Sequence, residues 1–166
     1  MKRVQVETAN LTPNFIGSWV IQEPSLCDNL IAYFETHTGK QTVGTTSAGT
    51  LLHAKDRTDI SIAPFEVDLP GNEILKIFID NLFACYKDYL LQWPFLKEMN
   101  KKLEVGAFNF GRYQKGQHFQ GVHAERMHFK NLHRVFAWMT YLNDVEDGGG
   151  TYFDHYDLRV QPSAGK

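Results

Sequence analysis

Cysteine is scarce in this chain of 166 residues, so a disulfide framework is not indicated. Cys27 and Cys85 both lie in segments predicted to be helical, where a thiol packs as a small apolar group. We therefore expect free thiols and a reducing, cytoplasmic compartment. The chain also lacks the apolar core of a secretory signal, and no window reaches the roughly 18 apolar residues of a membrane span.

A charge excess of one sign is absent as well. The 17 Lys and Arg residues nearly balance 19 Asp and Glu residues, the net charge is −2, and like charges form no block. The sequence therefore gives no indication of a nucleic-acid or membrane partner. Hydrophobic residues make up 43%, which together with the length predicts one globular domain spanning residues 1–166.

Apolar residues at helical spacing predict two helices in the first hundred residues. The first begins near Pro24, with Ser25 as its N-cap, and ends near Gly39. The second spans residues 72–93, where Pro94 stops it. An aliphatic and aromatic stripe of this kind is typical of a helix face that packs on a sheet.

The remaining part of the first hundred residues is predicted to contain short strands and a loop. Residues 3–7 and 15–21 are candidate edge strands. Residues 40–55 are rich in Gly, Ser and Thr, which predicts a loop with one short strand at residues 50–53. The basic and acidic residues that follow, up to residue 58, belong either to a substrate-specificity loop or to a plain connection.

After about residue 100 the sequence changes to short runs of aromatic and β-branched residues separated by turn residues. Such runs predict strands, and the apolar residues on both parities of the third run predict a strand covered on both faces. The runs are residues 104–112, 119–125, 133–143 and 151–160. Helices followed by an antiparallel sheet favour an α+β domain, with helices on one face of a β-sandwich or jelly roll.

His123 and Glu125 form a possible metal half-site within the second of these runs. On a strand, side chains at i and i+2 point to the same face, roughly 6.5 to 7 Å apart along the backbone. A histidine with a carboxylate provides two of the three ligands of the facial triad that holds non-haem Fe(II). Taken alone, the pair is more typical of exposed polar residues on a strand.

The residues around this pair resemble the prolyl 4-hydroxylase branch of the Fe(II)- and 2-oxoglutarate-dependent dioxygenases. The resemblance lies in the order and spacing of five short pieces over some fifty residues, and the first hundred residues carry no motif of their own. The pieces are Tyr113, Gly116, Phe119, His123 and Glu125; Arg134; Tyr141-Leu142-Asn143; Gly148-Gly149-x-Thr151-x-Phe153; and Val160-x-Pro162-x-x-Gly165.

The resemblance implies a double-stranded β-helix, or jelly roll, with helices packed on it and iron at its open end. It implies an oxidoreductase that hydroxylates a peptidyl prolyl or another C–H substrate with Fe(II), O2 and 2-oxoglutarate, releasing succinate and CO2. The substrate that it implies is a peptide or a small molecule. Ascorbate is a further implied cofactor. His123 and Glu125 would be the catalytic iron ligands, and Tyr113, Tyr141 and Thr151 would contact 2-oxoglutarate.

The chain departs from the family pattern at two places. The usual carboxylate is aspartate, and Glu125 is one methylene longer. The distal histidine, and the Lys or Arg that pairs with the far carboxylate of 2-oxoglutarate, follow the Val160-x-Pro162-x-x-Gly165 turn in the family. We therefore expect both beyond Lys166, in strands that this C-terminally incomplete domain lacks, and we expect the 166-residue chain to be inactive. His155 comes too early to match the distal ligand.

A function of another class remains open on the sequence. The chain could be a non-catalytic β-sandwich binding module that retains part of the dioxygenase motif. Iron binding and conversion of 2-oxoglutarate to succinate distinguish this module from an enzyme.

Overall fold

The computed structural model describes residues 1–6, 14–46, 48–99 and 102–166. The helices are α1 (Pro24–Thr36), α2 (Glu73–Gln92) and α3 (Leu96–Met99), and 3-10 turns cover Thr38–Lys40, Pro64–Asp68, Phe129–Asn131 and Asp154–Tyr156. The strands are β1 (Lys2–Val4), β2 (Ser18–Val20), β3 (Thr42–Val43), β4 (Lys55–Asp56), β5 (Thr58–Ile62), β6 (Phe108–Arg112), β7 (His118–Phe119), β8 (Thr151–Phe153) and β9 (Leu158–Val160).

The strands form four small antiparallel sheets. The largest has the order β3-β5-β6, and the other three are the pairs β1-β2, β4-β7 and β8-β9. In the largest sheet Ile60 pairs with Phe110 and Ile62 pairs with Phe108. The sheets do not close into a barrel within the described residues, and the jelly roll stays a prediction.

The hydrophobic core lies between the three-stranded sheet and the two long helices. Side chains two apart on a strand share a face, so Ile60 and Ile62 of β5 lie beside Phe108 and Phe110 of β6. Both isoleucines are fully buried. The helices cover this face with Leu26, Leu30 and Phe34 from α1 and with Leu75, Phe78 and Ile79 from α2.

The structure confirms both predicted helices, although the first ends at Thr36 and not near Gly39. Helix α2 lies between Asn72 and Trp93. Helix α1 begins at Pro24, but Glu23 occupies the N-cap position and Ser25 lies in the first turn, so the prediction of Ser25 as the N-cap was wrong. The Ser25 hydroxyl donates instead to the Glu23 carboxylate, at 3.1 Å.

Several strand predictions need correction. Residues 50–53 contain a turn, and β4 begins only at residue 55; the predicted first strand reaches residue 7, which lies outside the described residues. Residues 134–142 have no regular secondary structure, although a buried strand was predicted there. Their rings pack on α2 and β6 instead: Phe136 contacts Tyr86, and Trp138 contacts Phe78. These tertiary contacts hold the segment without a strand ladder.

The sequence analysis missed the central strand of the largest sheet. Residues 58–62 alternate between polar and β-branched side chains, which is a strand signal that was available. The cysteines are free, and both are buried, Cys27 in α1 and Cys85 in α2. None of the helices in the described ranges is long and apolar enough to cross a membrane.

Replacing Ile60 by alanine tests the packing of the helices on β5. We expect Ile60→Ala to lower the free energy of unfolding by roughly 2 to 5 kcal/mol, because it leaves a cavity under both helices. Ser61→Ala is the matched control on the exposed side of the same strand, with an expected change of about 0.5 kcal/mol or less. Urea titration followed by circular dichroism measures both; equal effects of the two variants would contradict this description of the core.

Candidate functional site

The structure brings His123 and Glu125 together, in a loop rather than on a strand. Strand β7 ends at Phe119, and Gly121 has a φ of 100°, a left-handed conformation that favours glycine and turns the chain away from the sheet. The predicted strand at residues 119–125 is therefore wrong beyond its first residue. The atoms His123 Nε2 and Glu125 Oε1 nevertheless lie 3.8 Å apart.

The orientation of the His123 ring is fixed by a local hydrogen bond. Its Nδ1 atom lies 3.0 Å from the carbonyl oxygen of Gly121. Because a carbonyl only accepts hydrogen bonds, this contact requires the proton on Nδ1, and in the neutral ring Nε2 then keeps its lone pair. Metal-binding histidines commonly donate their other N–H to a carbonyl in this way. On its other side the ring contacts Phe119, with centroids 4.9 Å apart.

Glu125 has two different neighbours, one for each carboxylate oxygen. Oε1 faces His123, while Oε2 forms an ion pair with Nη1 of Arg134 at 3.0 Å. Arg134 is one position of the motif that carries the resemblance, and the structure pairs it with Glu125. The side chains of His123 and Glu125 are 44% and 47% exposed, so the pair is accessible from solvent.

Tyr141 and Thr151 also lie together. The Tyr141 hydroxyl donates to Thr151 Oγ1 at 2.6 Å, and Thr151 Oγ1 donates to the sulfur of Met139 at 3.2 Å. The backbone of Tyr141 is held by Gly165 and Lys166: Tyr141 N donates to Lys166 O, and Gly165 N donates to Tyr141 O, both at 2.8 Å. Two of the three residues predicted to contact 2-oxoglutarate therefore share one hydrogen bond.

Tyr113, the third of these residues, has a different partner. Its hydroxyl accepts a hydrogen bond from Nη1 of Arg57 at 2.8 Å, and the Arg57 guanidinium carbon lies 5.4 Å from the centre of the tyrosine ring. Tyr113 directly follows β6, whereas Arg57 lies between β4 and β5. Sequence analysis left Arg57 in a loop of undecided role.

Arg57 belongs to a group of charged residues that sequence analysis did not identify. Asp59 Oδ2 forms an ion pair with Lys55 Nζ at 3.0 Å, and Asp59 Oδ1 lies 2.6 Å from Arg57 Nε without hydrogen-bond geometry. We call Lys55, Arg57 and Asp59 the ion cluster. The three residues are spaced two apart in the sequence, and on an extended chain this spacing places side chains on one face. This spacing could have indicated the cluster from the sequence.

A complete metal site is not assembled within the described residues. Nowhere in residues 1–6, 14–46, 48–99 and 102–166 do three or more His, Cys, Asp or Glu side chains gather as a metal-binding group. His155 lies in a 3-10 turn, edge-on to Tyr156. Burial raises the pKa of the Cys85 thiol to about 11 and also raises the pKa of the Cys27 thiol, so neither is a ready thiolate ligand or nucleophile.

Comparison of the chain with protein-family models, with curated proteins and with solved structures found no match. A functional proposal for this chain therefore rests on the geometry of its side chains. These form a histidine and carboxylate pair, a pair of hydroxyls, and a tyrosine bound to a buried ion cluster.

The tautomer of His123 can be measured directly. We expect neutral His123 to carry its proton on Nδ1, because that atom donates to Gly121 O. Long-range 15N–1H correlation spectra of the imidazole in alkaline buffer distinguish the two tautomers. Exposed His133, which has no such described bond to a carbonyl, is the comparison residue. A neutral His123 protonated mainly on Nε2 would contradict the geometry of the half-site.

Proposed function

We propose that this chain carries the first two iron ligands of a prolyl 4-hydroxylase-like, Fe(II)- and 2-oxoglutarate-dependent dioxygenase. The reaction is hydroxylation of a peptidyl prolyl or another C–H substrate, with release of succinate and CO2. One observation carries the proposal: the hydrogen bond from His123 Nδ1 to Gly121 O leaves the lone pair of Nε2 beside Glu125 Oε1.

The donor set fits Fe(II). His123 Nε2 and Glu125 Oε1, which lie 3.8 Å apart, would hold the ion. Arg134, paired with the other carboxylate oxygen, orients Glu125 and supports the longer side chain where the family has aspartate. Fe(II) bound there supplies the oxygen chemistry that side chains cannot.

The remaining residues bind and orient the other components. The hydroxyls of Tyr113, Tyr141 and Thr151 are hydrogen-bond donors suited to the oxygen atoms of 2-oxoglutarate. Ascorbate is a further proposed cofactor. The proposed fold is the jelly roll of the resembling family, in which the third ligand follows the Val160-x-Pro162-x-x-Gly165 turn. The two free, buried thiols support a reducing, cytoplasmic location for the reaction.

Metal titration tests the half-site. Two ligands hold a divalent ion only weakly, so we expect weak binding of Mn(II), used as an oxygen-stable probe of Fe(II), measured anaerobically by electron paramagnetic resonance. His123→Ala and Glu125→Gln should each weaken it at least about tenfold. His133→Ala removes another exposed histidine and should leave the affinity unchanged. Equal affinities for all four proteins would contradict the proposal.

A second candidate is a non-catalytic binding module that retains part of the motif. The observation in its favour is the lack of a third ligand beside His123 and Glu125 within the described residues. Such a module would use the exposed side chains of this region for recognition, without turnover. This candidate and the enzyme differ in what happens when a missing ligand is supplied.

Chemical rescue separates the two candidates. Free imidazole can occupy the coordination position of a histidine, so we expect it to increase the conversion of 2-oxoglutarate to succinate by the chain with Fe(II) and O2. Succinate should rise above the level of the same mixture containing His123→Ala. The contrary result is succinate formation by both proteins equal to that of Fe(II) in buffer, while metal binding still depends on His123. That result would support the binding module and contradict the enzyme.

A further inference from the structure

A groove of about 510 Å³ is formed by helix α2 and by the segment that precedes it. Its apolar lining consists of Val67, Leu69, Pro70 and Ile77. Val67 is part of the hydrophobic core, whereas Leu69 and Ile77 are each 45% exposed. The groove therefore leaves apolar side chains open to solvent, which is typical of a surface that binds another molecule.

Local hydrogen bonds fix the two walls of the groove. The N–H of Leu69 donates to Glu66 O at 3.2 Å, and the buried side chain of Asn72 donates from Nδ2 to the same carbonyl at 2.7 Å. The N–H of Asn72 donates to Leu69 O at 3.1 Å. Because these bonds join the 3-10 turn to the start of α2, the groove keeps its shape without a ligand.

The charged residues that line the groove carry an excess of negative charge. Asp68, Glu73 and Asp80 contribute three carboxylates, and Lys76 contributes one ammonium, which leaves a net charge of −2. The whole chain also has a net charge of −2, so its entire excess lies in this groove. A ligand that carries positive charge is therefore favoured.

Two of the carboxylates are available to such a ligand. Lys76 Nζ lies 3.6 Å from Asp80 Oδ1, and both side chains are more than half exposed, so this ion pair is weak. Within the described residues, neither Asp68 nor Glu73 forms an ion pair. Glu73 Oε1 accepts a hydrogen bond from Gly71 N at 3.0 Å, which lowers the pKa of Glu73 and keeps it ionised.

The carboxylates of the groove do not form a metal site. In the part of the chain that the structure describes, no three His, Cys, Asp or Glu side chains gather as a metal-binding group. The ligand must instead present separate positive charges along an apolar surface. A peptide in which lysine or arginine alternates with apolar residues has both properties, because long basic side chains reach past apolar surface to charges at its edge.

We infer that this groove is a docking site for a basic peptide segment of a partner protein, in which Lys or Arg residues alternate with apolar residues. The apolar side chains of the segment pack on Leu69 and Ile77, and its cations pair with Asp68 and Glu73. A groove of this size gives a weak, transient complex. The inference is independent of the proposed function, because neither His123 nor Glu125 lines the groove.

Fluorescence anisotropy with labelled synthetic peptides at low salt tests this inference. The probe is a peptide of six residues that alternates lysine and leucine, and two control peptides carry glutamate for lysine or serine for leucine. We expect the full chain to bind the probe with a dissociation constant on the order of 10 to 100 μM. Both controls should bind at least about tenfold more weakly, because one is repelled by the carboxylates and the other lacks apolar contacts.

Variants of the apolar lining locate the bound probe. Ile77→Ala should weaken its affinity at least about fivefold, because it removes apolar contact from the groove. Leu91→Ala removes a leucine of the same helix that is 70% exposed and lies outside the groove, and should leave the affinity unchanged.

Variants of the charges separate the groove from the overall charge of the chain. Asp68→Asn combined with Glu73→Gln should weaken binding of the probe at least about tenfold, because both unpaired carboxylates are lost. Asp28→Asn combined with Glu146→Gln changes the net charge equally at two exposed positions outside the groove, and should have no effect.

Three results would overturn the inference. The first is a native chain that does not bind the probe, or that binds the serine control as tightly. The second is equal affinity of the groove variants and their controls. The third is self-association of the chain, seen by sedimentation, that is lost in Ile77→Ala and kept in Leu91→Ala, since it would assign the groove to a second copy of the chain. His123→Ala should bind the probe as the native chain does.

Discussion

The structure depends on one strand, β5, which has an apolar face and, at Asp59, a buried charge on the opposite face. The Ile60 and Ile62 side of β5 contacts both long helices, and Asp59 is paired with two cations. A slip of this strand by one residue is strongly disfavoured, because it would place Asp59 under the helices and the isoleucines among the charges. The cost of that exchange fixes the register with β6, and with it the position of Tyr113 beside Arg57.

The half-site and the ion cluster are supported in different ways. His123 and Glu125 are brought together by a glycine-containing loop and by hydrogen bonds to near neighbours. The ion cluster is positioned by strands that are paired across the sheet. Side chains on a loop adjust to a ligand more readily than side chains held between paired strands.

Elements whose signals lie within one segment could be predicted from the sequence, whereas elements that depend on distant residues could not. Helix α2 was predictable because its apolar spacing and its stop at Pro94 are contained within one segment. Residues 134–142 were not, since Phe136 and Trp138 pack on rings of α2 and β6 that are distant in sequence. The apolar pattern of this segment correctly indicated packing against other apolar side chains, but it wrongly predicted a strand.

The site shows the same division. The spacing of His123 and Glu125 predicted their proximity, although the reason proved to be a loop and not a strand. Tyr141 and Thr151 form a hydrogen bond with each other, and their contact with 2-oxoglutarate stays a prediction. The ion cluster was missed because its first two members were assigned to the loop that continues from the Gly-, Ser- and Thr-rich residues 40–55.

Gly165 has a consequence for the order of assembly. Its N–H donates to Tyr141 O, and its carbonyl accepts from Ile21 N, so three parts of the chain meet at one residue. A Cβ atom at Gly165 would lie 3.1 Å from Ile21 Cβ, and its φ is 78°. A contact between segments as far apart in sequence as Ile21 and Gly165 closes a large loop and forms slowly. The link from Ile21 through Gly165 to Tyr141 therefore forms after local contacts such as the hydroxyl pair of Tyr141 and Thr151, which lie 10 residues apart.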